Sequence, residues 1–426
     1  MPDLSPMLYS LKGKRILGVN PPVRDFAFFD LWAKPMGLLY LLGRLRDLGN
    51  NVSLIDCVHE AGGKQKLFGR RVPGKFEIPK PAPYAHIPRR YWHFGLGREE
   101  LVSRLKGMPL PDLVLVTSSM TYWYPALFWA IAIIRATIPS APVFLGGSYP
   151  VLCPEHARRS GADFLQTETM PLPAALPAMD LYERINYGIT MTSTGCFGRC
   201  SYCASRLLWP HHSKREFRDV FAEVSFQAGL GATDIAFYDD ALLEGKNLHF
   251  IPLCSSLKTM FPDLRFHTPN GLNVSEIDME CAETMYRSGF STIRLSLEGT
   301  DPENFRASRG KTTPEQYAGA VENLRSVGFA PDQIETYVLV GLPGQGFEEV
   351  AKTIGFVQSL GARAKIAQLS PIPGTDLFGE IEKRNPSVAE EPLLQNNSIF
   401  CQYISKTLLP EELQKIKNLA NPSRSG

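Results

Sequence analysis

Three cysteines fall within eight residues, in the run Gly195-Cys196-Phe197-Gly198-Arg199-Cys200-Ser201-Tyr202-Cys203, just after a strand-like stretch at Ile189 to Ser193. Thiolates spaced C-x3-C-x2-C can wrap one face of a polynuclear centre. A zinc site ordinarily brings a fourth Cys or His at comparable spacing, whereas three thiolates on a 4Fe-4S cluster leave one iron open to an outside ligand. His211-His212 offers the zinc alternative a fourth ligand, and under that alternative the chain is a non-enzymatic zinc-binding interaction protein. The other cysteines, Cys57, Cys153, Cys254, Cys281 and Cys401, are scattered. With no signal-peptide-like segment at the start, all eight read as cytosolic thiols and ligands, and the expected location is cytoplasmic.

The segments around this loop alternate between strand and helix patterns. Arg15 to Asn20, Asn51 to Asp56, Asp112 to Thr117 and Pro142 to Leu145 read as strands, and Gly37 to Leu48 and Ala126 to Ile138 as helices. That alternation predicts an α/β fold whose first domain, residues 1–170, is a doubly wound parallel sheet. Small and polar residues follow its strands, in Asn20-Pro21-Pro22, in Ser118-Ser119-Met120-Thr121-Tyr122 and in Gly146-Gly147-Ser148-Tyr149. An insertion at 62–98 shows little periodicity and is basic and aromatic. A Pro-rich linker at 171–188 leads to a second series at 189–385, with strands at Ile189 to Ser193, Asp234 to Tyr238, Arg265 to Thr268, Thr292 to Leu297, Glu335 to Leu339 and Ala364 to Leu369. Six βα units predict a partial barrel short of eight. Residues 386–426 form a C-terminal extension.

Composition excludes little but bounds the partners. Apolar residues make up 44% and charged residues 21% of 426 positions, which are globular values. A formal charge of +2 gives no general case for nucleic acid, and the longest apolar run, Ala126 to Ile134, is too short for a membrane span.

The cysteine loop, the aromatic Tyr202 before its last cysteine and the α/β series behind it resemble the radical S-adenosylmethionine (SAM) superfamily. The resemblance implies a 4Fe-4S cluster on Cys196, Cys200 and Cys203, with SAM on the open iron as source of a 5′-deoxyadenosyl radical. It also implies SAM contacts from Tyr202, from Asp239 and Asp240 in Phe237-Tyr238-Asp239-Asp240, from Ser296 and Glu298 in Ser296-Leu297-Glu298, from Arg309 offering a guanidinium to a carboxylate, and from Leu342 and Ile372 in later turns. Ser hydroxyls and carboxylates at strand ends suit ribose hydroxyls and an ammonium group.

The first domain is similar to the cobalamin-binding domain fused to many such enzymes, on Asn20, Pro21, Pro35-x-Gly37, Ser118, Ser119, Met120, Thr121, Tyr122, Gly146, Gly147, Ser148 and Tyr149. A small-residue wall is what a nucleotide tail lying beside a sheet requires. The sequence departs from the cobalt-ligating D-x-H-x-x-G pattern, having Asp56-Cys57-Val58-His59, so no protein histidine is expected on cobalt. It also has Gln166-Thr167-Glu168-Thr169 where the class shows a glycine-containing acidic segment. The resemblance implies a cobalamin-dependent methyltransferase acting on an unactivated carbon centre of a small-molecule or peptide substrate, fed by an external electron donor. Alternatives are a cobalamin-linked radical cyclase or rearrangement enzyme without methyl transfer, and a radical SAM enzyme whose first domain does not bind cobalamin. No side chain is assigned a catalytic role beyond holding cofactors, and the substrate is not specified.

Overall fold

The computed structural model describes residues 5–28, 32, 34–172 and 174–421, so Pro173 of the predicted linker and the last residues of the C-terminal extension lie outside the described residues. The chain divides into two compact units. Unit 1 comprises Met1–Asn186 together with Pro386–Leu393, and unit 2 comprises Tyr187–Asn385 together with Leu394–Gly426.

Unit 1 is built on five parallel strands, β1 (Arg15–Asn20), β2 (Asn51–Asp56), β3 (Leu113–Val116), β4 (Val143–Leu145) and β5 (Phe164–Leu165), in the spatial order β5-β4-β3-β1-β2. Both faces of this sheet are covered. Leu17, Val19, Val114 and Val116 pack into one apolar cluster and Ile16, Leu113, Leu115 and Phe144 into another, which is why the strands read as continuous apolar runs instead of alternating ones. Helix α1 (Met36–Asp47) buries Leu38, Leu42 and Leu45 at helical spacing. A Cβ on Gly18 of β1 would stand 2.7 Å from Leu42 Cδ1, so glycine there lets the helix approach the strand.

The segment expected to be an unpatterned interruption is folded. Lys75–Glu77 and Trp92–Phe94 join Val23–Asp25 in a three-stranded antiparallel sheet, and Lys64–Gln65 pairs with Arg71–Val72. Phe26, Tyr84 and Tyr91 meet ring to ring beneath it, with centroids 4.9–5.5 Å apart. Strands of two or three residues are too short to show a period in sequence, which is why the segment looked irregular. The returning segment of unit 1 is tied in by Tyr84 Oη donating to the Leu393 carbonyl (2.8 Å) and Tyr124 Oη donating to Glu391 (3.0 Å).

Unit 2 carries seven parallel strands: β6 (Tyr187–Thr190), β7 (Asp234–Phe237), β8 (Arg265–His267), β9 (Leu272–Asn273), β10 (Phe290–Glu298), β11 (Ile334–Val340) and β12 (Arg363–Gln368). Their order is β6-β7-β8-β10-β11-β12, with β9 also pairing β10. All six expected strands are present within a few residues, and the two-residue β9 is additional. Helices between them start at caps written in the sequence, such as Asp278 accepting from Cys281 N (2.9 Å) and the Thr313/Gln316 capping box. Among the described residues no helix is long and apolar enough to cross a membrane.

Candidate active site

The cysteine loop leaves the carboxyl end of β6 and is anchored before its first cysteine. Gln227 brackets the strand, accepting from Ile189 N and donating to Ile189 O. The buried Glu223 accepts from Thr190 Oγ1 (2.8 Å) and pairs with Arg215 (2.7 Å), while Arg215 also donates to the Met191 carbonyl (2.7 Å) and, through its backbone, to that of Thr192 (2.9 Å). A short antiparallel pair, Ser193–Thr194 with Ser213–Lys214, follows. Gly195 has φ +77°, and a Cβ there would stand 2.7 Å from the His211 carbonyl oxygen, so the turn into Cys196 requires glycine.

Two backbone amides point at cysteine sulfurs: Gly198 N lies 3.2 Å from Cys196 Sγ and Ser205 N 3.4 Å from Cys203 Sγ. Burial pushes the Cys203 thiol up to about 11 and raises that of Cys200. Cys203, costly to ionise alone yet carrying an N–H donor, fits a centre whose iron charge stabilises thiolates. A Cβ at Gly198 would lie 3.3 Å from Cys196 Sγ and 3.9 Å from Cys200 Sγ, so a side chain there would crowd the sulfurs. No three His, Cys, Asp or Glu side chains among the described residues gather into a single-ion site. His212 packs on the Phe197 ring at 4.6 Å.

The segment after β10 closes against this loop. Cys200 Sγ lies 3.4 Å from the Ser308 carbonyl, Ser201 N and Oγ both donate to the Ala307 carbonyl, and Thr312 Oγ1 reaches the Ser296 carbonyl (3.3 Å). Lys311, between these anchors, opposes the upward push of burial on Cys200, Asp240 and Glu298. Its run, Arg309-Gly310-Lys311, is singled out by sequence, with the contact given to the Arg309 guanidinium. The Arg309 guanidinium pairs with Asp376, and Arg309 itself has φ +54°, a conformation costly for a residue with a side chain. Glu298, at φ +68° beside a bulge in β10, is likewise held in the left-handed region. Tyr202 Oη is buried beside Glu298 and Cys200, its ionisation opposed first by burial and then by those two groups. Ser296 is buried, Leu342 is buried and Ile372 is half-buried. Asp239 is buried and receives hydrogen bonds from Thr192 and Ser193, whereas Asp240 keeps an exposed face.

In unit 1 the strand order reverses at β1 and β3, where a crevice forms at the carboxyl ends of a doubly wound sheet. The loops leaving these strands are Asn20-Pro21 and Ser118–Tyr122. Gly37, Ser119, Met120 and Gly147 are exposed, and Asn20, Pro35, Ser118, Gly146 and Ser148 half-buried. Pro21, Thr121, Tyr122 and Tyr149 are buried, so their side chains support the loops from within. Asn20 donates to Asp56 (2.8 Å), whose other oxygen accepts from Tyr182 Oη (2.7 Å). Ser118 Oγ donates to the Gly146 carbonyl (2.7 Å), and a Cβ on Gly147 (φ +94°) would stand 2.1 Å from the Ser118 carbonyl oxygen. A Cβ on Gly146 would meet nothing nearer than 3.8 Å. This small-residue rim fits a nucleotide-like tail lying over Gly146. His59 packs edge-on against Tyr182, and burial, aided by Lys34, lowers its pKa to about 4.

Residues 190–357 match the Radical SAM superfamily. An uncharacterized methyltransferase, PH0819, of Pyrococcus horikoshii is 26% identical over 219 residues, spanning 50% of this chain and 46% of that protein. The chain therefore spans about half the length of this curated relative. The radical S-adenosylmethionine methyltransferase TsrM from Kitasatospora setae, solved with cobalamin and a [4Fe-4S] cluster bound, superposes with a TM-score of 0.68 at 16% identity, covering 97% of this chain and 92% of that one. The cobalamin-dependent S-adenosylmethionine radical enzyme OxsB, with aqua-cobalamin bound, gives 0.56 at 13% identity over 90% of this chain and 56% of that one. The fold is shared with these enzymes across both units.

Proposed function

We propose that this chain, which carries a radical SAM domain, is a cobalamin-dependent radical methyltransferase acting on an unactivated carbon centre of a small-molecule or peptide substrate. The observation that carries the reading is the cysteine loop at the carboxyl end of β6, with N–H donors on two of its sulfurs and Lys311 beside it. The shared fold with TsrM, which extends through unit 1, supports the cobalamin half. Unit 1 is read as a Rossmann-like cobalamin-binding sheet and unit 2 as a partial (β/α)6 barrel.

When bound, the cluster and SAM supply a 5′-deoxyadenosyl radical at the expense of one electron from an external donor, and cobalamin supplies the methyl group. Cys196, Cys200 and Cys203 would hold the cluster. Lys311 offers an ammonium to a carboxylate there, and Ser296, Glu298 and Tyr202 line the end of β10 with groups that can accept or donate hydrogen bonds. In unit 1 the exposed rim of Gly37, Ser119, Met120 and Gly147, with Gly146 behind it, would face cobalamin, and no protein histidine would reach cobalt.

Anaerobic reconstitution followed by iron, sulfide and cobalamin determination tests the cofactors. Product analysis tests the chemistry: S-adenosylhomocysteine and 5′-deoxyadenosine forming together with a methylated product are expected. 5′-Deoxyadenosine alone would replace methyl transfer with a radical rearrangement or cyclisation.

A further inference from the structure

We infer that Asp239 and Asp240 form a two-sided clamp that fixes the cysteine loop, one carboxylate on each flank. The inference rests on the cluster reading above and departs from the cofactor-binding role that the sequence pattern assigned to Asp239.

On the upstream flank, Asp239 is 3% exposed. Its Oδ1 accepts from Thr192 Oγ1 (2.7 Å), Thr192 N (2.9 Å), Ser193 N (2.6 Å) and Ser193 Oγ (2.8 Å), and its Oδ2 lies 3.1 Å from Thr192 N. Neutral donors thus converge on Oδ1, an arrangement in which N–H and O–H dipoles offset the burial of a carboxylate without a cation. With Oδ1 spent in this way and the residue 3% exposed, only Oδ2 keeps acceptor capacity, and it already meets Thr192 N. Its backbone is itself fixed, because Asn270 Nδ2 donates to the carbonyls of Tyr238 (2.9 Å) and Asp239 (3.1 Å).

On the downstream flank, Asp240 Oδ2 accepts from Ser205 Oγ at 2.6 Å. Ser205 is buried, and its own N–H points at Cys203 Sγ from 3.4 Å. Thr192-Ser193 precede Cys196 and Ser205 follows Cys203, so two consecutive residues after β7 hold both ends of the segment that contains all three thiols. Displacing either end moves a sulfur or removes an N–H···S bond. Asp239, Asp240, Thr192, Ser193 and Ser205 are positioning residues: they act on the cluster through the cysteines.

The test uses the full chain reconstituted anaerobically, as wild type, Asp239→Asn, Ser193→Ala, Ser205→Ala and Ser205→Thr. The two alanine variants remove one hydroxyl each and keep the result readable if Asp239→Asn does not fold. In Ser193→Ala and Ser205→Ala, iron is expected to pass to a chelator about tenfold faster than in wild type, the scale seen when outer-shell partners of metal ligands are removed. The EPR spectrum of the reduced cluster should change in both, and Ser205→Thr should restore both readouts. The dissociation constant of SAM for cluster-loaded protein should stay within about threefold of wild type, well under 1.4 kcal/mol. Chelator rates and EPR spectra identical to wild type overturn the clamp alone. So does an unchanged cluster in Asp239→Asn accompanied by a tenfold loss of SAM affinity, which would make Asp239 a cofactor ligand. Wild-type protein that takes up no cluster overturns the cluster reading, and the clamp with it.

Discussion

Gly146 and Gly147 are neighbours at the end of β4, yet alanine should act on them in opposite ways. Gly147 has φ +94° and ψ −170°, a region reserved for glycine, and its Cβ would stand 2.1 Å from one backbone atom of Ser118 and 2.7 Å from another. The conformation alone costs about 1–3 kcal/mol. Relief of the clash must also disturb the bonds that Ser118 makes to Gly146 and Ser148, so Gly147→Ala should destabilise unit 1 by about 2–4 kcal/mol in all. For a domain of 150–250 residues that is a fall in Tm of about 4–16 °C. At Gly146 the new methyl would find Phe144 Cε1 at 3.8 Å and Gln166 Cβ at 4.0 Å, ordinary contacts in an allowed conformation. Gly146→Ala should therefore leave stability within about 0.5 kcal/mol while filling space at the candidate cobalamin rim. Thermal unfolding and retention of cobalamin after gel filtration, read by visible absorbance, separate the two effects. Gly146→Ala that melts like wild type and keeps full cobalamin would refute the small-residue-wall reading. Gly147→Ala with an unchanged Tm would refute the packing account of that loop.

Lys311→Met should weaken SAM binding to cluster-loaded protein by about tenfold or more, given about 1.5–3 kcal/mol for a charge-assisted hydrogen bond, whereas Arg309→Ala should change it little; equilibrium dialysis showing the reverse would return the role to Arg309. His93 is fully buried, Nε2 donating to the Leu96 carbonyl (2.9 Å) and Nδ1 accepting from Arg24, and burial holds its pKa down to about 4. The unfolded chain binds the extra proton near 6.5, so the contribution of neutral His93 is complete above that pH. It is lost as pH falls toward 4, by about 3 kcal/mol at most, and denaturant titrations of His93→Gln should show a flatter dependence over this window. His59→Ala should retain cobalamin with an unchanged cob(II)alamin EPR spectrum; disappearance of nitrogen splitting in the variant would identify His59 as a cobalt ligand.

The sequence exposed those parts of the fold that depend on period and punctuation. β1, a buried apolar stretch ended by Pro21, and β2, a short stretch with Val, Leu and Ile between Asn51 and Asp56, were legible to the residue. β9 and the sheet around Trp92–Phe94 were not, because two or three residues carry no period. At the candidate site, cysteine spacing was legible because the ligands are local in sequence. Which of Arg309 and Lys311 lies beside the cysteines was not legible, since that depends on Ser308 and Thr312 being pinned by partners over 100 and 16 positions away. Asp239 was noticed for its type and place at a strand end, but only the distances to Thr192 and Ser193 show where its lone pairs are spent.

The return of residues Pro386–Leu393 to unit 1 sets a schedule for biosynthesis. The acceptors of Tyr84 and Tyr124 leave the ribosome some 200 residues after Asn186, a delay of about 10–40 s at ordinary elongation rates. During that interval the first sheet must persist without its last segment while the second is made. Expression of residues 1–186 alone would make that transient state permanent, removing the Leu393 and Glu391 acceptors from the buried Tyr84 and the half-buried Tyr124 and leaving a product less stable than the same sheet in the whole chain.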